Sequence, residues 1–320
     1  MSGQWISARL SRKTVEAEDI ATFEFVDPDG RDLPAFDAGA HIDVEAAPGV
    51  IRQYSLCNSP RERHRYQIGV LRERSSRGGS AAMHDRLQQG DIVSISPPRN
   101  LFRLVPGDHP SLLLAGGIGI TPMLSMAEYL AETRAEFSLH YAVRSRARMA
   151  FASRIASSSY AGRVTTYVDD DPAVRRLSVQ SLLAGRDKRT HIYMCGPGGF
   201  IEHVEATARQ CGWPQAQLHK EYFTSAADLS AKQDFNIRIA SSGATFFVAG
   251  DRSAVEVLIE NGFDIPVSCG QGICGTCLTG VISGTPDHRD MFLTEAERAR
   301  NDQFTPCCSR SVTPELVLDL

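Results

Sequence analysis

Short apolar runs and their spacing divide the chain into stretches of different character. Over the first hundred residues, Val44, Tyr54–Leu56, Tyr66–Leu71 and Asp91–Ser96 read as strands, broken by Pro and Gly. Short strands with turn punctuation predict a small antiparallel β-barrel over residues 1–105. From about Ser111 the pattern changes. Leu112–Ala115 reads as a strand and Met123–Leu130 as a helix. Phe137–Val143, Val164–Val168 and Ile192–Met194 are strand-like, and a helix follows near Phe200–Ala208. This alternation predicts an α/β domain with a parallel sheet over 106–226. Ala226–Gln233 is small and polar without periodicity, and a linker is expected over 227–233. Beyond it, Phe235–Ile239 and Thr245–Val248 flank Ser241-Ser242-Gly243, a hairpin signal. Val255, Leu258 and Ile259 fall at helical spacing, and Thr294 to Glu297 reads as a capping box. A compact α+β module is expected over 234–320.

Composition narrows the class. The 320 residues are 42% hydrophobic and 22% charged, ordinary for a globular protein. No run of about 18 apolar residues occurs, so no transmembrane helix and no membrane partner are expected. The opening residues lack a basic-then-apolar layout, and a cytoplasmic location is the expectation. A net charge of −4 argues against nucleic acid as a partner. Asp234–Leu320 carries twelve acidic and six basic residues, net −6, and no lysine follows Lys232. The asymmetry marks the last module as a separate piece.

Eight cysteines are present, five of them in the last quarter. In a reducing compartment this clustering points to a metal rather than to disulfides. Cys269, Cys274 and Cys277 form C-x4-C-x2-C, and Cys307 follows after 29 residues. That is the spacing of a plant-type [2Fe-2S] site, in which three thiolates come from one loop and the fourth from afar. Zinc sites usually pair their cysteines two and two, which this pattern does not. The loop Ser268–Cys277 holds three glycines, suited to positive φ and close backbone approach. The last 87 residues resemble plant-type ferredoxins, which implies a β-grasp fold. Cys308 adjoins Cys307; the resemblance implies Cys307 as the distal ligand, by its 29-residue spacing, and if the segment is extended the two side chains point to opposite faces and only one meets the cluster. Cys57 and Cys211 read as simple buried thiols.

Two glycine turns suggest a nucleotide. Leu112 to Met123 runs strand, Gly116-Gly117-Ile118-Gly119, then helix, with Thr121 as the expected cap and Pro122 at the first position. Met194-Cys195-Gly196-Pro197-Gly198-Gly199-Phe200 again follows a strand and opens a helix. Two such turns would line one edge of a parallel sheet, where ligands bind. Together the motifs resemble the nicotinamide domain of the ferredoxin–NADP reductase superfamily. The resemblance implies that Thr121 lies near the nicotinamide and Cys195 near its hydride-delivering carbon, the two being the candidate catalytic residues. Arg144 to Arg148 shows no acid for a ribose hydroxyl. Its arginines suit a 2′-phosphate, and a solvated loop explains them equally.

Arg52-Gln53-Tyr54-Ser55-Leu56 matches the flavin motif of that superfamily. Arg52 offers a forked cation to a phosphate, Tyr54 a face to the ring and Ser55 a hydrogen bond. Arg77-Gly78-Gly79-Ser80 precedes an apparent helix, Ala81–Gln88, and offers N–H groups and a hydroxyl to a phosphate. The order of barrel, nicotinamide domain and ferredoxin resembles the phthalate dioxygenase reductase group, which includes reductases of aromatic O-demethylases. The resemblance implies FMN as flavin, NADH as donor with NADPH also admitted, and a [2Fe-2S] cluster as the exit. It implies a separate oxygenase with a Rieske centre as partner, and a monomer is expected. Alternatives are a reductase for another acceptor, such as a diiron hydroxylase, and a stand-alone electron carrier.

Overall fold

The structure is a computed structural model. It describes residues 5–73, 78–171, 176–223, 233–267, 270 and 272–320. The chain forms two compact units, Met1–Phe223 and Thr224–Leu320.

The first unit opens with an antiparallel sheet. Its strands are β1 (Ile6–Ala17), β2 (Ile20–Val26), β3 (His41–Ala47), β4 (Val50–Ser55), β5 (Tyr66–Leu71) and β6 (Ile92–Ile95), and helix α1 (Gly79–Asp85) lies between β5 and β6. The order is β4-β3-β6-β1-β2-β5. Just past β4, Leu56 bridges to Ile68 of β5, so the two edges meet and the sheet closes as a barrel. Alternate residues fill the inside: Leu10, Phe23, Phe25, Ile42, Val44, Tyr66, Ile68 and Ile95 are all buried. The antiparallel barrel expected from the first hundred residues is present. β1 and β2 lie outside the runs read as strands.

A parallel sheet follows in the same unit. It holds β7 (Ser111–Gly116), β8 (Phe137–Val143), β9 (Val164–Val168), β10 (His191–Gly196) and β11 (Leu218–Tyr222), in the order β11-β10-β7-β8-β9. All neighbouring pairs are parallel. α2 (Ile120–Glu132) follows β7, and α3 (Ala152–Ser157) and α4 (Val179–Leu183) lie further on. α5 (Gly198–Gln210) follows β10. The chain turns outward in both directions from β7 and β10, so the gap between their ends is the topological switch point. Both glycine turns predicted to bind the nucleotide follow those two strands.

The second unit contains β12 (Phe235–Ile239), β13 (Thr245–Val248), α6 (Ala254–Glu260), β14 (Thr279–Ser283), β15 (Pro286–Asp287), α7 (Glu295–Arg300), β16 (Gln303–Phe304), β17 (Arg310–Ser311) and β18 (Glu315–Leu318). β13-β12-β18-β14-β16 form a mixed sheet, with β12 and β18 parallel. Ala254, Val257 and Leu258 of α6 pack with Phe235, Ile237, Ile239, Leu316 and Leu318 in one core. α6 and α7 each start with a complete capping box, from Ser253 and Thr294. The predicted linker lies largely outside the described residues. No helix among the described residues is long and apolar enough to cross a membrane.

Candidate functional site

The barrel contributes one wall. Arg52 and Tyr54 lie on β4, and Ser55 ends it. The Arg52 side chain crosses the start of α1 so closely that a Cβ on Gly79 would stand 2.4 Å from its Nε. Glycine at 79 is therefore what lets the guanidinium reach the first turn of that helix. Gly78 before it takes φ +86, and Ser80 Oγ accepts a hydrogen bond from the Glu73 N–H at 3.1 Å. The structure thus brings Arg52 against Gly79 in the first turn of α1, with Ser80 next along it. Arg77 lies outside the described residues. Leu56 is fully buried and belongs to the barrel core. Tyr54 is half-buried against that core, and burial holds its phenol protonated.

The parallel sheet contributes the other wall. Gly119 lies so close to the Cys195 carbonyl that a Cβ there would fall 2.2 Å from its oxygen. Gly116 and Gly196 approach each other in the same way, sharing the Phe200 ring. The two turns therefore touch through their glycines, and Pro197 stands at the cap position of α5. Gly117, at φ +54, faces open space. Thr121 does not cap the helix as expected. Gly117–Gly119 is a 3-10 turn that winds straight into α2, so Gly119 takes the cap position and Thr121 the second turn residue. Its Oγ1 donates to the Ile118 carbonyl at 3.1 Å, and its methyl packs on Gly69 of β5. Thr121 thus joins the nucleotide sheet to the barrel.

The two walls meet at a residue the sequence reading missed. Ser55 Oγ donates to Glu221 Oε2 at 2.9 Å. Glu221 lies on β11 directly beside Cys195 in register. Enclosure by protein pushes its carboxyl up to about 7, partly offset by the Ser55 hydrogen bond. Burial, and then the Glu221 charge, hold the Cys195 thiol well above its ordinary value. Cys195 is therefore a neutral group filling space at the sheet edge, and no thiolate nucleophile. Ser55, expected to hydrogen-bond a flavin ring, thus also ties the barrel wall to β11.

Acids also appear where none was read. Asp169 and Asp170, after β9, donate backbone hydrogen bonds to the Val143 and Arg144 carbonyls and tie their loop to the one after β8. Asp171 Oδ2 accepts from Arg146 Nη2 at 2.8 Å and Nε at 3.0 Å. Arg148 pairs with Asp19 at 3.4 Å. Asp169, Asp170 and Asp171 follow the neighbouring strand β9 and Asp19 lies between β1 and β2, so no local motif after β8 announces them.

In the second unit, Cys277 and Cys307 are buried in the core and Cys274 at its margin. Cys269 lies outside the described residues. Among the described residues no group of three His, Cys, Asp or Glu side chains forms a metal-holding set by itself. The loop fits a cluster in its backbone and its donors. Gly270, Gly272 and Gly275 take φ of +61, +72 and +68, the left-handed conformation their predicted role requires. Gly275 lies under the Phe292 ring, where a Cβ would stand 2.4 Å from ring carbon. The segment holding Cys307 and Cys308 is a turn and not an extended strand. Cys308 N–H and Ser309 N–H both donate to the Thr305 carbonyl, at 3.2 and 2.9 Å. The opposite-face argument for Cys307 therefore does not apply.

Residues 113–206 match the oxidoreductase NAD-binding domain, and residues 237–312 match the 2Fe-2S iron-sulfur cluster binding domain. Vanillate O-demethylase oxidoreductase of Pseudomonas putida is 51% identical over 317 residues, which cover 98% of this chain and 100% of the relative. Phthalate dioxygenase reductase of Burkholderia cepacia is 38% identical, covering 99% and 98%. A solved phthalate dioxygenase reductase, built for electron transfer from pyridine nucleotides to [2Fe-2S], superposes with a TM-score of 0.82 at 37% identity. It covers 99% of this chain and 98% of its own. The chain belongs to the phthalate dioxygenase reductase family. It is an NAD(P)H-dependent oxidoreductase of the electron-transfer type, with the family's flavin-type barrel, NAD-binding sheet and ferredoxin domain. In those terms the parallel sheet belongs to the NAD-binding domain, and the Cys274–Cys277 loop belongs to the cluster domain.

Proposed function

We propose that the chain is the NADH-dependent reductase component of a Rieske-type aromatic oxygenase or O-demethylase, binding one FMN and one [2Fe-2S] cluster. The observation that carries the reading is the contact between Ser55, in the flavin motif, and Glu221, beside Cys195 of the nucleotide motif. It puts the two cofactor walls within one hydrogen bond of each other. Bound flavin would supply the conversion of a two-electron hydride donor into one-electron transfers. Arg52 and the first turn of α1 bind its single phosphate, which favours FMN. Gly116, Gly117 and Gly119 admit the dinucleotide backbone, while Cys195 and Thr121 pack the space beside the nicotinamide. Glu221 and Ser55 hold a proton at this edge. Cys269, Cys274, Cys277 and Cys307 supply the four thiolates. The acceptor is a separate oxygenase protein, and the chain works as a monomer.

NADH is favoured over NADPH by Asp171, which neutralises Arg146 and presents a carboxylate where a 2′-phosphate would need cations. Acid-released flavin with iron and sulfide analysis tests the cofactors. FAD, or zinc in place of two irons, would overturn the assignment. Stopped-flow mixing with NADH should bleach the flavin. A chain that fails to bleach is a carrier only.

A further inference from the structure

Helix α2 starts at the nucleotide turn and lies against the barrel along one face. Thr121, Glu128 and Glu132 fall on that face at helical spacing. At the start of the helix, the Thr121 methyl and the Phe151 ring share the space over Gly69 of β5, where a Cβ would stand 2.8 and 2.9 Å from them. At its end, Glu132 accepts from Ser59 Oγ at 2.9 Å and pairs with Arg61 at 2.8 Å, both in the connection from β4 to β5. Between these, Glu128 pairs with Arg154 of α3, whose Nη2 lies 3.3 Å away. Nη1 of the same guanidinium donates to Gln67 Oε1 of β5 at 2.9 Å. The buried Tyr160 hydroxyl donates to the same Glu128 oxygen at 3.2 Å and holds the carboxylate toward Arg154. Gln67 and Gly69 are alternate residues of β5 and share one face. Phe151 caps α3 at φ +61, a conformation that an aromatic residue rarely takes, and is buried. Packing on the barrel therefore overrides the local preference where α3 begins.

We propose that Arg154 is a positioning residue for hydride transfer: by bridging Glu128 to Gln67 it holds the nucleotide turn in register with the flavin wall. The inference rests on the proposed placing of the flavin at Arg52–Ser55 and of the nucleotide at Gly116–Gly119. Gly117–Gly119 winds straight into α2, so any sliding of the helix carries the turn with it. The Thr121 contact is apolar and sets distance more than direction. The Glu132 contacts lie at the far end of the helix, about 20 Å from the turn. The half-buried Arg154 fork is the directional link between them. The step moves a hydride, one proton with two electrons, from reduced nicotinamide to oxidised flavin, leaving NAD+ and reduced flavin. It requires near-contact of the reacting atoms, and a misplacement of about 1 Å costs up to about 100-fold in rate. Binding of either partner to its own wall needs no such register.

The test uses the full-length holoprotein in anaerobic single-turnover mixing with NADH over a range of concentrations. Flavin bleaching gives a limiting rate and a half-saturating concentration. Arg154→Met keeps much of the side-chain bulk and removes both hydrogen bonds. It should retain flavin and half-saturation while the limiting rate falls by roughly tenfold, the split expected for lost positioning. Arg154→Lys, which keeps the charge without the fork, should lie between. Arg186→Met is the control for stability alone. Arg186 donates to the Leu182 carbonyl at 2.7 Å and to Ser138 Oγ at 3.1 Å, away from the barrel. Its variant should lower Tm yet leave the limiting rate unchanged. An unchanged limiting rate in Arg154→Met would overturn the inference, as would an equal rate loss in Arg186→Met. Should Arg154→Met fail to fold, Glu128→Gln decides: it keeps the shape and must slow the limiting rate with flavin content intact, and an unaltered rate there overturns the inference equally. Arg52→Ala reports on the parent reading alone: full flavin retention in that variant would move the flavin wall, whatever the Arg154 variants do.

Discussion

Ser55 ends a barrel strand and Glu221 sits in an edge strand of the parallel sheet, yet their side chains share a hydrogen bond of 2.9 Å. A neutral carboxyl so placed is costly to ionise, because it is enclosed by protein and has one hydroxyl partner. Its protonation state therefore follows pH in the neutral range.

The sign of the resulting pH dependence is defined. The folded protein keeps the Glu221 proton up to about 7, while the unfolded chain releases it near 4.5. This group's contribution to stability is thus full below the unfolded value and is lost as pH rises through about 7. Glu221→Gln should gain thermal stability relative to wild type as pH rises from about 4.5 to about 7, by about 2–4 °C for each 1 kcal/mol. Parallel Tm curves for the two proteins over that range would refute the assignment.

Arg52→Ala should lose flavin selectively. A charge-assisted hydrogen bond is worth roughly 1.5–3 kcal/mol, so retention should weaken by about tenfold or more. The purified variant is expected to be poor in flavin while its iron content is unchanged. Gly79→Ala should give a milder defect in the same direction, since its methyl displaces the Arg52 side chain. Full flavin occupancy on dilution in both would contradict phosphate binding there.

Asp171→Ala frees Arg146 at the nucleotide edge. The ratio of kcat/KM for NADPH to that for NADH should rise by roughly tenfold, the equivalent of about 1.4 kcal/mol. The measurement is flavin reduction under each donor. A wild type that already prefers NADPH would refute the donor assignment, and an unchanged ratio would remove Asp171 from it.

Electron delivery to a protein acceptor should slow as salt rises. Residues Asp234–Leu320 carry net −6, which favours a basic docking patch on the partner. Reduction of a small artificial acceptor should respond much less. Equal salt dependence for the two acceptors would argue against electrostatic steering.

Legibility in the sequence followed local determination. β8, β9, β12 and β13 match their apolar runs residue for residue, and in β8 and β12 the pattern is decided by burial on the sheet itself. The α7 capping box was equally plain, since both partners lie within four residues. β1 was not read, because its apolar alternation, Ile6, Ala8 and Leu10 against exposed Ser7 and Arg9, stops at Ser11 and leaves most of the twelve residues polar. Glu221 was missed for a different reason. Its meaning depends on Ser55, 166 residues away, and on Cys195 across a strand pair. The same limit applies to Asp171; the turn at Cys307, by contrast, is closed locally, by the Cys308 and Ser309 N–H groups on the Thr305 carbonyl, and no signal in the sequence announced it.

In the second unit, β18 is the last strand to be synthesised and also the middle strand of the sheet, between β12 and β14. While a ribosome is still making the unit, β12 and β13 can pair only as a lone hairpin, which is marginal in water. The three loop cysteines emerge before Cys307 and before the strand that unites the sheet. Assembly of the metal site must therefore wait for translation of the whole unit, and until then the nascent loop presents reactive thiols on an unfolded chain. Expression at high rate without matching iron–sulfur supply should accordingly yield this unit as the aggregation-prone part of the protein.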